Sequence, residues 1–180
     1  MGSYLNVLKD ITTFVFDIDG VLSDGKVVIM PDGEQLRRMS TRDGYALQLA
    51  KKKGYNVAII SGGRSETVRS RFTYLGIHDV YLGTHDKVDT LDKYCLTYDI
   101  KLENILYMGD DIPDYGVMKI VALPTCPADA AIEIREISDF ISTKNGGDGA
   151  VREAVEMIMK AKGDWFDTNT KDDELKDFGW

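Results

Sequence analysis

Two aspartates separated by one residue, Asp17 and Asp19, directly follow a run of β-forming residues that ends at Phe16. Carboxylates this close repel each other unless they have a cation, a shared proton or good access to water. A second acidic cluster, in segment 109–114, also follows an apolar run. Carboxylate oxygens are the ligands that Mg²⁺ prefers. The two clusters therefore predict one divalent-metal site built from distant parts of the chain.

Two further polar groups follow predicted strands. Ser61 comes directly after the apolar segment 57–60, and Lys87 lies shortly after segment 79–82. In an open parallel sheet, ligands bind beyond the carboxyl ends of the strands. A single polar residue at such a place is commonly a helix cap. Four predicted strands that are each followed by polar residues indicate a shared catalytic site.

Strand-like and helix-like segments alternate along the chain, which is typical of a parallel sheet covered by helices on both faces. Segment 26–40 departs from this pattern and predicts a β-hairpin around Pro31-Asp32-Gly33, which we call the hairpin flap. The intervals between Asp19 and Asp43 and between Ser61 and Lys87 are too short for a separate cap domain. The predicted strands are 14–16, 57–60, 79–82, 105–108, 121–123 and 140–141, and the predicted helices are 43–53 (with Asp43 as N-cap), 66–75, 86–98, one from Pro113, and 150–162.

Composition predicts one domain over residues 1–163, followed by an acidic tail, 164–180, that holds both tryptophans of the chain. The tail is either a disordered terminus or a segment that docks its aromatic side chains on a neighbouring subunit or near the site. A net charge of −8 argues against nucleic-acid binding. No run of residues approaches the roughly 18–20 apolar residues that span a membrane. With two cysteines at no metal spacing and no signal-peptide pattern, we expect a cytoplasmic location.

The segments 17–21, 61–62, Lys87 and 109–114 resemble the four motifs of the haloacid dehalogenase (HAD) superfamily. Segments 21–25, 42–44 and 146–153 resemble more closely its capless 3-deoxy-D-manno-octulosonate 8-phosphate (KDO 8-phosphate) phosphatases, which serve lipopolysaccharide synthesis. The resemblance implies a Rossmann-like α/β HAD fold with helices on both faces of a parallel sheet, and a Mg²⁺-dependent phosphoric monoester hydrolase. It also implies a homotetramer in which hairpins associate and a neighbour helps to cover each site.

The resemblance also implies the roles of individual residues. Asp17 would attack phosphorus and form an aspartyl-phosphate, and Asp19 would protonate the leaving group and then activate water. Asp17, Asp19 (through its backbone carbonyl) and Asp110 would hold Mg²⁺, with Asp111 and Asp114 supporting the metal or Lys87 from nearby.

Phosphate and substrate contacts complete the predicted site. Ser61, Gly62 and Lys87 would bind the phosphate and take part in catalysis. Because arginine binds carboxylates bidentately, we expect Arg42, Arg64 and Arg69 to contact the sugar acid. His78 and His85 are interpreted as non-catalytic.

Two alternatives stay open. Gly63 stands where the KDO-type motif is expected to carry a basic residue, so the substrate is either KDO 8-phosphate or a sialic-type nonulosonate 9-phosphate. From another class of function, a non-catalytic HAD-like oligomerisation module is possible. The joint presence of Asp17, Asp19, Lys87 and Asp110 argues against that module.

Overall fold

A six-stranded, all-parallel sheet forms the centre of the computed structural model, which describes residues 3–166. Its order is β5-β4-β1-β6-β7-β8, so that β1 lies between β4 and β6. Two more strands, β2 and β3, pair antiparallel as the predicted hairpin. The strands are β1 (Thr13–Phe16), β2 (Val28–Ile29), β3 (Gln35–Leu36), β4 (Asn56–Ser61), β5 (Asp79–Leu82), β6 (Ile105–Met108), β7 (Leu123–Cys126) and β8 (Phe140–Ile141).

Helices cover both faces of the sheet, which confirms the predicted α/β class. Alternate residues of β1 point to opposite faces, because side chains alternate along a strand. Phe14 and Phe16 join a core with α1, α2 and α6, whereas Val15 joins a core with α3, α4 and α5. The helices are α1 (Thr41–Lys52), α2 (Glu66–Tyr74), α3 (Lys87–Tyr98), α4 (Tyr115–Met118), α5 (Ile132–Ile137) and α6 (Ala150–Lys162).

The start of α1 differs from the prediction. Ser40, not Asp43, caps this helix, and its side chain accepts a hydrogen bond from Asp43 N. The Asp43 carboxylate instead accepts a hydrogen bond of 2.8 Å from the backbone nitrogen of Arg152 in the first turn of α6. Since Gly149 gives α6 no side-chain cap, a buried carboxylate of a neighbouring helix fills that role. Burial raises the pKa of Asp43 to about 6.

Other predicted elements need smaller corrections. The strand predicted at 121–123 lies at 123–126, and the sequence pattern missed the short helix α5. The hairpin, the strand at 140–141 and the helix at 150–162 match their predictions. No helix among residues 3–166 is long and apolar enough to cross a membrane.

The first residues of the tail pack against the domain. The rings of Trp165 and Tyr45 meet edge to face, with centroids 6.3 Å apart, and the Arg152 guanidinium lies 5.3 Å from the Trp165 ring. Residues 167–180 are outside the described residues, so the two interpretations of the tail and the domain boundary at 163 stay predictions.

Candidate active site

The predicted catalytic segments meet at the carboxyl ends of the central strands. Asp17 follows β1, Ser61 ends β4, Lys87 opens α3 after β5, and Asp110 follows β6. Together they border an open cavity of about 540 Å³, which we call the strand-end cavity. Its lining residues are Asp17, Asp19, Gly25, Ser61, Gly62, Gly63, Thr84, His85, Lys87, Asp110, Asp111, Pro113 and Asp114.

Lys87 is the buried cation of this site. Its Nζ lies 2.7 Å from Asp114 Oδ1 and 3.1 Å from Asp17 Oδ1, and the residue is 8% exposed. Burial lowers the pKa of Lys87, but the charges of Asp17 and then Asp114 outweigh that effect, so the pKa is raised overall. The lysine therefore carries a stable positive charge between two carboxylates.

Asp114 organises the floor of the site. Its Oδ1 accepts hydrogen bonds from Lys87 and from the Tyr107 hydroxyl, each at 2.7 Å, and its Oδ2 accepts one of 3.2 Å from Asp110 N. Burial, followed by the charge of Asp114, raises the pKa of Tyr107 well above its usual value, so the phenol stays a donor. Asp114 thus fixes both the ammonium group and the backbone that presents Asp110.

Three carboxylates crowd together beside this lysine. One oxygen each of Asp17, Asp110 and Asp114 lies within 4.8 Å of the others. Burial, followed by repulsion from Asp114, raises the pKa of Asp17 to about 6. Burial, followed by the charge of Asp17, raises that of Asp110 to about 8. When ionised, three carboxylates and one ammonium leave a net charge of −2, which a divalent cation would balance.

Two of the three predicted metal ligands, Asp17 and Asp110, lie in this cluster, and the two aspartates predicted to support the site are placed as follows. Asp114, expected to support the metal or Lys87 from nearby, contacts Lys87 and also lies within the carboxylate cluster itself. Asp111 borders the cavity, but its carboxylate accepts a hydrogen bond of 2.8 Å from Ile112 N and caps a short 3₁₀ turn.

Two glycines allow the acidic segments to approach each other. A Cβ on Gly20 would lie 1.9 Å from Asp110 Oδ2, and the backbone φ of +89° there also favours glycine. A Cβ on Gly146 would lie 1.8 Å from the carbonyl oxygen of Gly20. The loop before α6 therefore packs directly on the loop that carries Asp19.

The Ser61 loop forms another part of the wall of the strand-end cavity. Ser61 Oγ accepts a hydrogen bond of 3.2 Å from Gly63 N, and the loop is closed by Thr84 N donating to the Ser61 carbonyl at 3.1 Å. Thr84 and His85 also border the cavity. Sequence reasoning did not place Thr84 in the site and gave His85 no role, because isolated residues before a helix carry no distinctive spacing.

The three predicted substrate arginines lie in different places. Arg42 lines a separate cavity of about 540 Å³ beside α6. Arg69 Nη1 donates to the Val80 carbonyl at 2.7 Å. Arg64 borders a cavity of about 430 Å³ that shares Gly62 and Gly63 with the site. Of these three, Arg64 is the one that adjoins the strand-end cavity, and a substrate role for each stays a prediction.

A different arginine reaches the site from the hairpin flap. Arg37 Nε lies 2.6 Å from Asp19 Oδ1, and Arg37 Nη2 lies 3.0 Å from Asp19 Oδ2. A Cβ on Gly63 would lie 3.0 Å from the same Nη2. The glycine at the position where a basic residue was expected thus leaves space for this guanidinium. Sequence reasoning missed Arg37, because the contact depends on how the hairpin folds back.

Comparison with known proteins identifies related enzymes. A family model described as haloacid dehalogenase-like hydrolase matches residues 65–154. The KDO 8-phosphate phosphatase of Escherichia coli K12 is 36% identical over 155 residues, which cover 86% of this chain and 82% of that protein.

Two solved structures agree closely with the fold. A KDO 8-phosphate phosphatase from Moraxella catarrhalis, crystallised with magnesium, phosphate and KDO, matches with a TM-score of 0.86 and 35% identity over 89% of this chain and 92% of that chain. The cobalt-bound deoxy-D-mannose-octulosonate 8-phosphate phosphatase from Haemophilus influenzae matches with a TM-score of 0.84 and 30% identity over 87% and 92% of the respective chains.

We expect the carboxylate cluster to bind Mg²⁺ with an affinity that rises with pH. Between the raised pKa values of about 6 and 8, metal binding displaces a proton from Asp110, so the apparent affinity should increase up to roughly tenfold per pH unit. Calorimetric Mg²⁺ titrations in two buffers of different ionisation enthalpy measure both the affinity and the protons released.

Asp110→Asn serves as the control, because it should weaken binding and remove the proton release. Equal affinity at about pH 6 and pH 8 without proton release would contradict this electrostatic account of the site.

Proposed function

Because the chain belongs to the haloacid dehalogenase-like hydrolase family, we propose that it is a Mg²⁺-dependent phosphatase that hydrolyses KDO 8-phosphate to KDO and phosphate. The observation that carries this proposal is the meeting of Asp17, Asp110, Asp114 and Lys87 beside the Ser61 loop in one open cavity. Phosphoryl transfer requires chiefly positioning and charge compensation, and these groups offer both.

Asp17 is suited to act as the nucleophile. It is 7% exposed, its backbone nitrogen donates to the Met108 carbonyl at 3.1 Å, and Lys87 holds one of its oxygens. Attack of a carboxylate oxygen on phosphorus would form an aspartyl-phosphate and release the sugar alkoxide, which splits the reaction into two easier displacements. Lys87 would neutralise charge on the carboxylate and the phosphate as they approach.

Asp19 is suited to move the protons of both steps. Its side chain is 33% exposed and borders the same cavity as Asp17. It would give a proton to the leaving alkoxide and then take one from the water that hydrolyses the aspartyl-phosphate, a contribution of about 10²–10⁴-fold. A Mg²⁺ ion held by Asp17, Asp110 and the Asp19 carbonyl would supply charge compensation for the phosphate oxygens.

The relatives support the choice of substrate. The Moraxella catarrhalis enzyme was crystallised with KDO and phosphate, and 35% identity extends over most of both chains. A nonulosonate 9-phosphate is the second candidate, because Gly63 carries no basic side chain at the edge of the cavity. We further propose a cytoplasmic location and a place in lipopolysaccharide precursor synthesis, which fit a soluble sugar phosphate as substrate.

We expect Mg²⁺-dependent release of phosphate from a panel of sugar phosphates, with the highest kcat/KM on KDO 8-phosphate. A nonulosonate 9-phosphate, mannose 6-phosphate and p-nitrophenyl phosphate are the comparison substrates. A higher kcat/KM on the nonulosonate phosphate would select the second candidate. Activity that survives EDTA would contradict the metal-dependent mechanism, and inactivity on the whole panel would favour the non-catalytic oligomerisation module.

Asp17→Asn should lower kcat by at least about 10³-fold, because an amide cannot attack phosphorus. The circular dichroism spectrum and the oligomeric state should match those of the wild type. Asp92→Asn is the matched control, since Asp92 is an exposed aspartate of α3 outside the cavity. Turnover of Asp17→Asn near the wild-type rate would exclude Asp17 as the nucleophile.

We propose that the hairpin flap joins subunits of a homotetramer. Val28 is 63% exposed and Ile29 is 71% exposed, an unusual exposure for adjacent apolar residues of a strand. Light scattering should therefore give a tetramer mass for the wild type and a smaller mass for Ile29→Asp. Leu96→Asp, which changes an 84% exposed leucine of α3, should leave the mass unchanged. A monomeric wild type would refute this assembly.

A further inference from the structure

Arg37 differs from its neighbour on the hairpin flap. The Arg37 side chain is 4% exposed, whereas that of Arg38 is 83% exposed. All three guanidinium nitrogens of Arg37 donate hydrogen bonds: Nε and Nη2 to the Asp19 carboxylate, and Nη1 to the Gln35 carbonyl at 2.9 Å. A guanidinium with this set of acceptors is held in one orientation.

Arg37 adjoins the strand-end cavity without lining it. Asp19 and Gly63 border that cavity, and Arg37 hydrogen-bonds to Asp19 and lies close to Gly63. Arg37 itself lines a smaller cavity of about 200 Å³ that faces α2. It therefore touches residues of the site from a neighbouring cavity.

The hairpin flap also depends on this contact for its position. Both residues of β2 and both residues of β3 are exposed, so the hairpin has little apolar packing on the domain. A two-stranded hairpin without such packing is marginally stable. Its polar side-chain contacts Glu34 with Thr67 and Arg38 with Asp24 involve exposed groups, and Met39, near its C-terminal end, packs partly buried against the core. The Arg37–Asp19 ion pair is the contact whose arginine is buried.

We propose that Arg37 is a positioning residue, which holds the Asp19 carboxylate in its working orientation and couples it to the hairpin flap. This inference rests on the proton-transfer role proposed for Asp19. The two hydrogen bonds occupy one lone pair on each oxygen of Asp19 and leave the other free. In the acid form of Asp19 the proton lies at such a free position and passes to the leaving-group oxygen, and in the carboxylate form the free lone pair accepts a proton from water. Small displacements of a catalytic group are costly in rate, so an unanchored Asp19 should transfer protons poorly.

The test compares Arg37→Ala, Arg37→Lys and the control Arg38→Ala on two substrates. The sugar phosphate that is hydrolysed best has a poor alkoxide leaving group, which needs a proton, whereas p-nitrophenolate leaves without one. For Arg37→Ala we expect kcat/KM to fall at least about tenfold on the sugar phosphate but less than about threefold on p-nitrophenyl phosphate. Arg37→Lys, which keeps the charge and loses the two-pronged contact, should fall between wild type and Arg37→Ala.

A second readout needs no activity. Hydrogen exchange of the backbone amides in residues 27–36 should be faster in Arg37→Ala than in wild type, and unchanged in Arg38→Ala. If Arg37→Ala lowers kcat/KM equally on both substrates, the substitution impairs the enzyme in general and the proposal is wrong. If kcat/KM and hydrogen exchange are both unchanged, the contact has no effect on Asp19 or on the hairpin and the proposal is also wrong. Inactivity of the wild type on both substrates would instead overturn the proposed function, and the exchange rates would still decide whether Arg37 anchors the hairpin.

Discussion

Repulsion among buried carboxylates is the constraint on which the rest of the structure depends. Asp17, Asp110 and Asp114 converge within 4.8 Å around a single lysine. The protein tolerates this arrangement because Lys87 contacts two of the three, Asp17 and Asp114, and the Tyr107 hydroxyl also donates to Asp114. Burial, and after it the repulsion within the cluster, raises the pKa values of Asp17 and Asp110. A site with this excess of negative charge favours the binding of a divalent cation.

The parallel sheet explains how distant residues reach this point. The central strand β1 pairs with β4 on one side and β6 on the other, so the carboxyl ends of the three strands are neighbours. The chain returns to the same edge after each crossover helix and delivers one polar group each time. Close approach then requires glycine, as at Gly20 against Asp110 and at Gly146 against the Gly20 carbonyl.

Most of this framework could be predicted from the sequence, because it depends on local patterns. The apolar runs marked the strands, and the polar residues directly after them marked the site. Asp43 and Arg37 were misjudged for a shared physical reason. Each uses its side chain on a segment far away in sequence, α6 for Asp43 and the loop after β1 for Arg37. The spacing of residues along the chain does not reveal such contacts.

The hairpin flap combines a buried ion pair with an exposed apolar strand. One side of it carries Arg37, whose guanidinium is buried on Asp19, and the other presents Val28 and Ile29 to solvent. Since the strands lack packing of their own, contacts on either side will affect the position of the whole hairpin. A chain without a cap domain must limit water at its open cavity by other means. In the tetramer proposed above, the hairpin anchored at the candidate acid–base residue would also carry the subunit contact, so that assembly and the geometry of Asp19 would depend on the same short segment.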